Sequence, residues 1–265
     1  MTAIAAFFDL DKTLVPGSSL FLLARGMYQR DYYRVRDMLR FAWQQAAFRA
    51  GGKERTAGME SSKQAALEFV RGRHRDEFAA LGHEIVEEQI LPRVYPDIAQ
   101  VIRQHAESGH KTFLVTAAPV ELANVVATSL GMTGALGTES ELDDAGRYTG
   151  RLVSDILHGP AKAKAVELLA QERGIDLRDS HAYSDSTNDL PLLESVGHPH
   201  AVNPDHGLRK IARARGWPVH ELRTRRRALL FGIPSALGAV GLFAGGIALG
   251  MWLARKRGGT TGADA

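Results

Sequence analysis

The chain of 265 residues contains no cysteine, and acidic residues are nearly absent from its last part. Without cysteine, disulfide scaffolds, thiolate metal sites and cysteine nucleophiles are excluded. Residues 222–265 hold seven Lys and Arg against Asp264 alone, so the first 221 residues, with 26 basic and 29 acidic groups, carry −3 although the whole chain carries +3. This distribution does not support a general nucleic-acid footprint, and we expect no nucleic-acid partner.

Charge is also missing from the 27 residues between Arg227 and Arg255. As a helix, residues 228–254 would be roughly 40 Å long, against a hydrocarbon core of ~30 Å, and basic residues flank both ends. The pattern predicts a single transmembrane helix at 228–254, preceded by a basic juxtamembrane linker at 222–227 and followed by a short polar tail at 255–265. An apolar hairpin docked on the soluble part is the alternative.

The expected location is the cell membrane, with one span and a cytoplasmic catalytic head. The first eight residues lack a basic region, an adequate apolar region and a cleavage site, so they are not an export signal. Four basic residues precede the span and three follow it, so the positive-inside rule is almost tied. One face of the predicted helix consists of small residues and includes a GxxxG pair. A homodimer that forms through this face is therefore a hypothesis. The residues of this face are Gly238, Gly241, Gly245 and Ala248.

The first 220 residues alternate short apolar runs with helical stretches, which is typical of an α/β protein with a parallel sheet. We predict strands at 4–8, 111–116, 182–184 and 200–202, and a helix over 96–108. Between the first two strands lies an interruption of about 75 residues, too long for a simple crossover. The apolar spacing there indicates an inserted helical unit.

Aromatic and arginine residues are concentrated within 28–43 of this insertion. The stretch could bind nucleic acid or anionic lipid. Val35, Met38, Leu39 and Ala42 repeat at helical spacing, however, so we favour an amphipathic helix with a solvated basic face.

Polar residues follow the predicted strands or begin the helices beside them, at 9–13, 116–118, 159–162 and 185–189. Ligands of open parallel sheets bind at the carboxyl ends of the strands, so these segments are expected to converge. Several carboxylates held together favour a hard cation, and an all-oxygen set favours Mg2+. Beside such an ion, one carboxylate of a DxD pair can attack a phosphoryl group while the other protonates the leaving oxygen.

The ordered set of motifs resembles the haloacid dehalogenase (HAD) superfamily, subfamily IB, the phosphoserine-phosphatase-like branch. Asp9-Leu10-Asp11-Lys12-Thr13-Leu14 matches the nucleophile motif, Thr116 the Ser/Thr motif, Lys162 the lysine motif, and Asp185 with Asp189 the acidic motif. Thr138-Glu139 and the segment 146–150 add to the likeness. The resemblance implies a Rossmann-like HAD core at 1–16 and 91–221 and a helical cap inserted at 17–90.

The resemblance also implies a role for each matching residue. It makes Asp9 the nucleophile and Asp11 the general acid and then base. The implied Mg2+ ligands are Asp9, the backbone carbonyl of Asp11 and Asp185, supported by Asp189 directly or through water. The implied phosphate-binding groups are Thr116, the Ala117 amide, Lys162 and Asn188, with Lys164 as a rival for the lysine role.

Two positions depart from phosphoserine phosphatases. Ser18 stands where an acidic residue would meet the serine amino group, and Thr116-Ala117-Ala118 replaces the usual Ser-Gly-Gly. The sequence therefore predicts a membrane-anchored, Mg2+-dependent phosphomonoester phosphatase whose substrate is a small-metabolite or lipid-linked phosphate. The alternatives are phosphoserine phosphatase proper, a noncatalytic membrane-tethered binding module, and phosphotransfer to an acceptor other than water.

Overall fold

The strands are short and apolar, and the computed structural model, which describes residues 2–30, 32, 67–68 and 70–222, arranges them as the apolar runs predict. They are β1 (Ala5–Phe8), β2 (Lys111–Pro119), β3 (Gly134–Thr138), β4 (Ser140–Leu142), β5 (Tyr148–Leu152), β6 (His181–Ser184), β7 (His198–Val202) and β8 (Val219–His220). Six of them form one sheet in the order β3-β2-β1-β6-β7-β8, with every pair parallel. The other two, β4 and β5, pair antiparallel.

Helices connect and cover these strands. They are α1 (Ser19–Gln29), α2 (Arg75–Ile85), α3 (Pro96–Glu107), α4 (Val120–Ser129), α5 (Pro160–Arg173), α6 (Leu190–Glu194) and α7 (His206–Arg215). A π-helical turn at Val86–Ile90 and a 3-10 turn at Leu91–Arg93 link α2 to α3. Proline begins α3 and α5, where its fixed φ suits the first turn and its missing N–H leaves no hydrogen bond broken.

The central strand β1 is buried along its whole length, as expected for a parallel strand covered on both faces. On one face Phe7 stacks on Phe113 of β2, with ring centroids 5.8 Å apart. Their cluster includes Val166 of α5 and Leu208 of α7, so these helices cover this side of the sheet. On the other face, Ile98 and Ile102 of α3 are buried, and α3 contacts β1 and β2.

The predicted α/β core is confirmed, with differences at the element ends. Strands β2, β6 and β7 are longer than their apolar runs, and the helix predicted over 96–108 is observed at Pro96–Glu107. Strands β3, β4, β5 and β8 were not predicted. The sequence of β3, GALGT, is rich in glycine and lacks an apolar run, while β8 has two residues only.

Both helices described within the predicted cap region, α1 and α2, agree with its helical character. Most of 27–70, the linker beyond residue 222, the span at 228–254 and the tail at 255–265 lie outside the described residues. The boundaries of cap, linker and span therefore stay predictions. Within the described part of the chain, no helix has the length and apolar character needed to cross a membrane.

Candidate active site

Asp9 lies at the carboxyl end of β1, and the chain turns sharply behind it. The Asp9 N–H donates to the Tyr183 carbonyl at 2.9 Å, which extends the pairing with β6 by one residue. The N–H groups of Leu14 and Val15 both donate to the Leu10 carbonyl, and Lys12 adopts a left-handed φ of 59°. The turn therefore places the two carboxylates of the DxD motif at one end of the strand.

Asp11 is held at the start of α1. Its Oδ1 accepts the backbone N–H of Ser19, the first residue of that helix, at 2.8 Å. An acceptor at a helix amino terminus satisfies a backbone donor that has no partner within the helix. This bond fixes a side chain that is only half buried, whereas Asp9 is 6% exposed.

Lys162 is the centre of the buried ion pairs. Gly159 supplies a positive φ of 56° before α5 begins, and Lys162 follows in the first turn. Its Nζ donates to Asp9 Oδ1 at 2.5 Å and to Asp189 Oδ2 at 2.8 Å, and the residue is 3% exposed. Lys164 is exposed on the same helix, so of the two candidate lysines Lys162 is the one that lies against Asp9.

The acidic motif after β6 completes this cluster. Asp185 and Asp189 are both buried, and Asp189 Oδ2 also accepts the hydroxyl of Ser184 at 2.8 Å. The cation nearest to Asp185 among the ion pairs of the described residues is the exposed Lys12, whose Nζ lies 3.9 Å from Oδ2. Asp185 is therefore less well neutralised than Asp189.

The remaining predicted residues surround this cluster in different ways. Thr116 is buried in β2, and its Oγ1 accepts the N–H of Ala118 at 3.1 Å. Ala117 is exposed, and its carbonyl accepts the hydroxyl of Thr138. Asn188 is exposed in the 3-10 turn Thr187–Asp189, and its backbone carbonyl lies near Gly159. The structure thus joins Asp9, Lys162 and Asp189 directly and leaves Asn188 at the surface.

Burial makes the charged form of these carboxyls costly. It raises the pKa of Asp9 to about 7, an effect that Lys162 opposes and Asp189 reinforces. Burial, with the charge of Asp9, raises the pKa of Asp185 to about 7 as well. Asp11 also has a raised pKa, again because of burial. Burial lowers the pKa of Lys162, but Asp9 and Asp189 outweigh it and the pKa is raised.

The donor set fits a magnesium ion. Four carboxylates, those of Asp9, Asp11, Asp185 and Asp189, are opposed within the cluster by Lys162 and, at longer range, by Lys12. The excess negative charge and the oxygen-only donors are what a hard divalent cation requires. Burial is the main cause of the raised pKa values of Asp9 and Asp185, and the neighbouring carboxylates add to it.

Two supporting residues were not identified from the sequence. Ser184 holds Asp189, and Ser19 holds Asp11 through its backbone. A hydroxyl at the last position of a buried strand, directly before the acidic motif, was the available signal for Ser184. No side-chain pattern could reveal Ser19, because its contribution is a backbone N–H.

The sequence of the chain is similar to those of one family of hydrolases. The sequence pattern of haloacid dehalogenase-like hydrolases matches residues 6–194. A Mycobacterium tuberculosis protein described as phosphoserine phosphatase SerB1 is 46% identical over 244 residues, 92% of this chain and 79% of the relative. A Streptomyces azureus protein described as an inhibition of morphological differentiation protein is 36% identical over 262 residues, 96% of this chain and 94% of the relative. A solved Bordetella pertussis structure of unknown function has a TM-score of 0.72 at 33% identity, over 84% of this chain and 100% of its own.

Proposed function

Because the chain belongs to the haloacid dehalogenase-like hydrolases and is a phosphoric monoester hydrolase, we propose that it acts through a phosphorylated Asp9 and depends on Mg2+. The observation that carries this proposal is the buried contact of Asp9 with Lys162, beside Asp185 and Asp189. A carboxylate held this close to a buried lysine is suited to attack a phosphoryl group, because the lysine can also neutralise the charge of the phosphoryl oxygens.

The first half of the reaction transfers the phosphoryl group to the protein. An oxygen of Asp9 forms a bond to phosphorus while the bond from phosphorus to the ester oxygen breaks. Asp11 gives a proton to that departing oxygen, so an alcohol leaves. The raised pKa of Asp11 favours the protonated form that this step needs.

The second half releases phosphate. Asp11, now ionised, takes a proton from a water molecule, and the water oxygen attacks phosphorus as the bond to Asp9 breaks. Asp9 is regenerated as a carboxylate and inorganic phosphate departs. Splitting the hydrolysis in two replaces one difficult displacement by two easier ones.

The phosphoryl oxygens need donors during both steps. We assign this role to Lys162, to the hydroxyl of Thr116 and to the N–H of Ala117, with Asn188 at the rim. Mg2+, when bound, supplies further positive charge that makes the phosphorus more electrophilic. Its proposed ligands are carboxylate oxygens of Asp9 and Asp185 and the backbone carbonyl of Asp11, with Asp189 in support.

The substrate class is a phosphomonoester of a small metabolite or of a lipid. Phosphoserine is the second candidate, because the M. tuberculosis relative carries that name. Ser18, however, presents a hydroxyl where an amino group would call for a carboxylate, and its Oγ accepts the N–H of Phe21. The adjacent Leu20 and Phe21 are 41% and 43% exposed, which favours a leaving group with apolar surface over a zwitterionic one.

The anchor and its consequences are part of the same proposal. Residues 228–254 would hold the protein in the cell membrane with the catalytic head in the cytoplasm, and the GxxxG face would favour a homodimer. The support is the uncharged length of the segment and the basic residues on both sides of it.

The test is phosphate release by the full chain in mild detergent with Mg2+. The panel contains phosphoserine, sugar and nucleotide phosphates, and dispersed lysophosphatidate and phosphatidylglycerol phosphate, with Asp9→Asn as control. We expect release from at least one ester, abolished in the variant. Release from phosphoserine alone would replace the proposed substrate class, and turnover by Asp9→Asn would refute the mechanism. Absence of turnover on every substrate would favour a noncatalytic binding module. Formation of phosphorylated alcohols when alcohol acceptors are added would indicate phosphotransfer.

A further inference from the structure

Histidines are concentrated at one face of the sheet, away from the acidic cluster. They are His105 at the end of α3, His110 before β2, His181 at the start of β6, His198 and His200 in β7, and His220 in β8. We call these six residues the histidine face. His181 and His110 mark the amino ends of β6 and β2, so these two histidines lie at the strand ends opposite Asp9.

Three members of the histidine face converge. His105, His110 and His181 each offer one ring nitrogen, and these three atoms lie within 4.8 Å of one another. The Nδ1 atoms of His105 and His110 are 2.9 Å apart, and the rings of His105 and His181 meet with centroids 4.6 Å apart. At this distance the two nitrogens can share one proton, whereas two protons would repel each other. A metal cation bound between the nitrogens would instead accept both lone pairs.

The other ring nitrogens of His105 and His181 are already occupied. His105 Nε2 lies 2.9 Å from the Tyr183 hydroxyl, and His181 Nδ1 lies 3.2 Å from His200 Nε2. His200 Nδ1 in turn lies 3.1 Å from His220 Nε2. When His105 Nε2 and His181 Nδ1 are the donors, His105 Nδ1 and His181 Nε2 keep free lone pairs. Outer hydrogen bonds of this kind fix the tautomer and orientation of histidines that bind metals.

The protonation state suits metal binding too. Burial, reinforced by neighbouring histidines, lowers the pKa of both His105 and His181 to about 4, so these imidazoles are neutral at pH 7. Neutral imidazole is the form that binds metals, and a metal therefore displaces no proton from these two rings. His105 is buried, while His110 and His181 are partly exposed and leave a path from solvent.

We propose that His105, His110 and His181 form a binding site for a divalent transition metal ion, with Zn2+ as the best fit. Imidazole ligands favour Zn2+, Ni2+ and Cu2+, whereas the carboxylates around Asp9 favour Mg2+. Three histidines leave a fourth tetrahedral position for water. The site depends on no catalytic residue and stands whether or not the proposed function is correct.

The experiment uses the full chain without a histidine tag, stripped with EDTA and kept in excess Mg2+ so that the carboxylate site is filled. Zn2+ is added, unbound metal is removed, and retained zinc is measured by elemental analysis. Co2+ binding is followed by its visible absorption, which reports tetrahedral coordination. We expect about one equivalent of Zn2+ per chain.

Variants locate the ion. His110→Asn and His181→Asn should each weaken Zn2+ binding at least about tenfold, while His83→Asn, which removes an exposed histidine of α2, should not. Melting temperatures in EDTA establish that each variant is folded. One folded variant of the two, His110→Asn or His181→Asn, is enough for the test. Asp9→Asn should retain the zinc. No retained zinc in the unmodified protein, unchanged binding in a folded cluster variant, or loss of zinc in Asp9→Asn would each overturn the proposal.

Discussion

The two sides of the molecule bury ionisable groups in opposite ways. At the carboxyl ends of the strands, burial raises the pKa of Asp9 and Asp185 to about 7, and Lys162 is held as an ion between Asp9 and Asp189. At the histidine face, burial lowers the pKa of His181 to about 4 and of His200 to about 3. Burial disfavours charge on both sides, but only the acidic side keeps charges in place by pairing them.

This difference indicates where chemistry is done. The acidic side buries three carboxyls, of which only Asp9 and Asp189 pair with Lys162, and a bound divalent cation would relieve the remaining negative charge. Burial holds His105, His181 and His200 neutral, and each lies within hydrogen-bond distance of another histidine, so these three are stable without a ligand at neutral pH. We therefore expect the acidic side to carry the proposed reaction and the histidine face to bind the proposed metal ion.

The largest expected effect comes from replacing Asp9, the proposed nucleophile. Asp9→Asn keeps the shape of the side chain but removes its attacking charge, so we expect turnover to fall on the order of 10⁴-fold or more. Phosphate release on the best substrate of the panel measures the loss, and a melting curve establishes that the variant is folded. Turnover within about tenfold of the unmodified protein would show that Asp9 does not attack the substrate.

Removing the lysine should destabilise the fold itself. Lys162→Met leaves Asp9 and Asp189 buried without their common partner, which typically costs about 3–5 kcal/mol in the free energy of unfolding. Lys164→Met, two residues further along α5 and exposed, is the matched control and should change stability by less than about 0.5 kcal/mol. Urea unfolding of both variants measures the difference, and equal effects would contradict the assigned ion pairs.

Asp185 separates metal binding from attack. Asp185→Asn removes a proposed Mg2+ ligand whose nearest cation is the exposed Lys12, so the fold should be retained. We expect the Mg2+ concentration for half-maximal activity to rise about ten- to a hundredfold. Activity as a function of Mg2+ measures the shift. An unchanged Mg2+ dependence would place the ion elsewhere.

The smallest effect concerns acid stability of the histidine face. In the folded protein the pKa values of His105, His181 and His200 lie below the unfolded value of 6.5, so the folded state binds fewer protons. Stability is thus fully present above about pH 6.5 and is lost as the pH falls toward 4. His200→Asn should make the free energy of unfolding fall less steeply as the pH is lowered. The slope should change by less than about 1.4 kcal/mol per pH unit, because one proton is involved.

Unfolding in urea between pH 7 and pH 4, with EDTA present, measures this dependence. His83→Asn is the control, because that side chain is exposed on α2 and should leave the slope unchanged. A slope that is the same in His200→Asn and in the unmodified protein would show that His200 is not held neutral by the fold.

Much of the acidic site could be predicted from the sequence because its members follow a rule. Asp9 and Asp185 directly follow short apolar runs, and the carboxyl ends of parallel strands meet at one edge of the sheet. Lys162 follows a Gly-Pro pair that begins a helix. The choice between Lys162 and Lys164 needed the structure, because side-chain burial depends on the rotation of α5 against the sheet.

The histidine face could not be predicted because register creates it. Parallel pairing sets His181 beside His198 and Tyr183 beside His200, and the residues concerned are up to 19 positions apart in sequence. His105 joins them only because α3 packs on this side of the sheet. No local spacing carries this information, just as none revealed the short strand β8.

The central claim is that the phosphoryl group passes through Asp9, and trapping it there is the most direct test. The full chain is mixed with Mg2+ and a phosphate ester that it turns over, and the reaction is quenched in acid during turnover. The protein is then reduced with borohydride, which converts an aspartyl phosphate to homoserine. Peptide mass spectrometry should find homoserine at position 9 and none at position 11. Homoserine at position 11, or phosphate release with no modified aspartate at any position, would contradict the account.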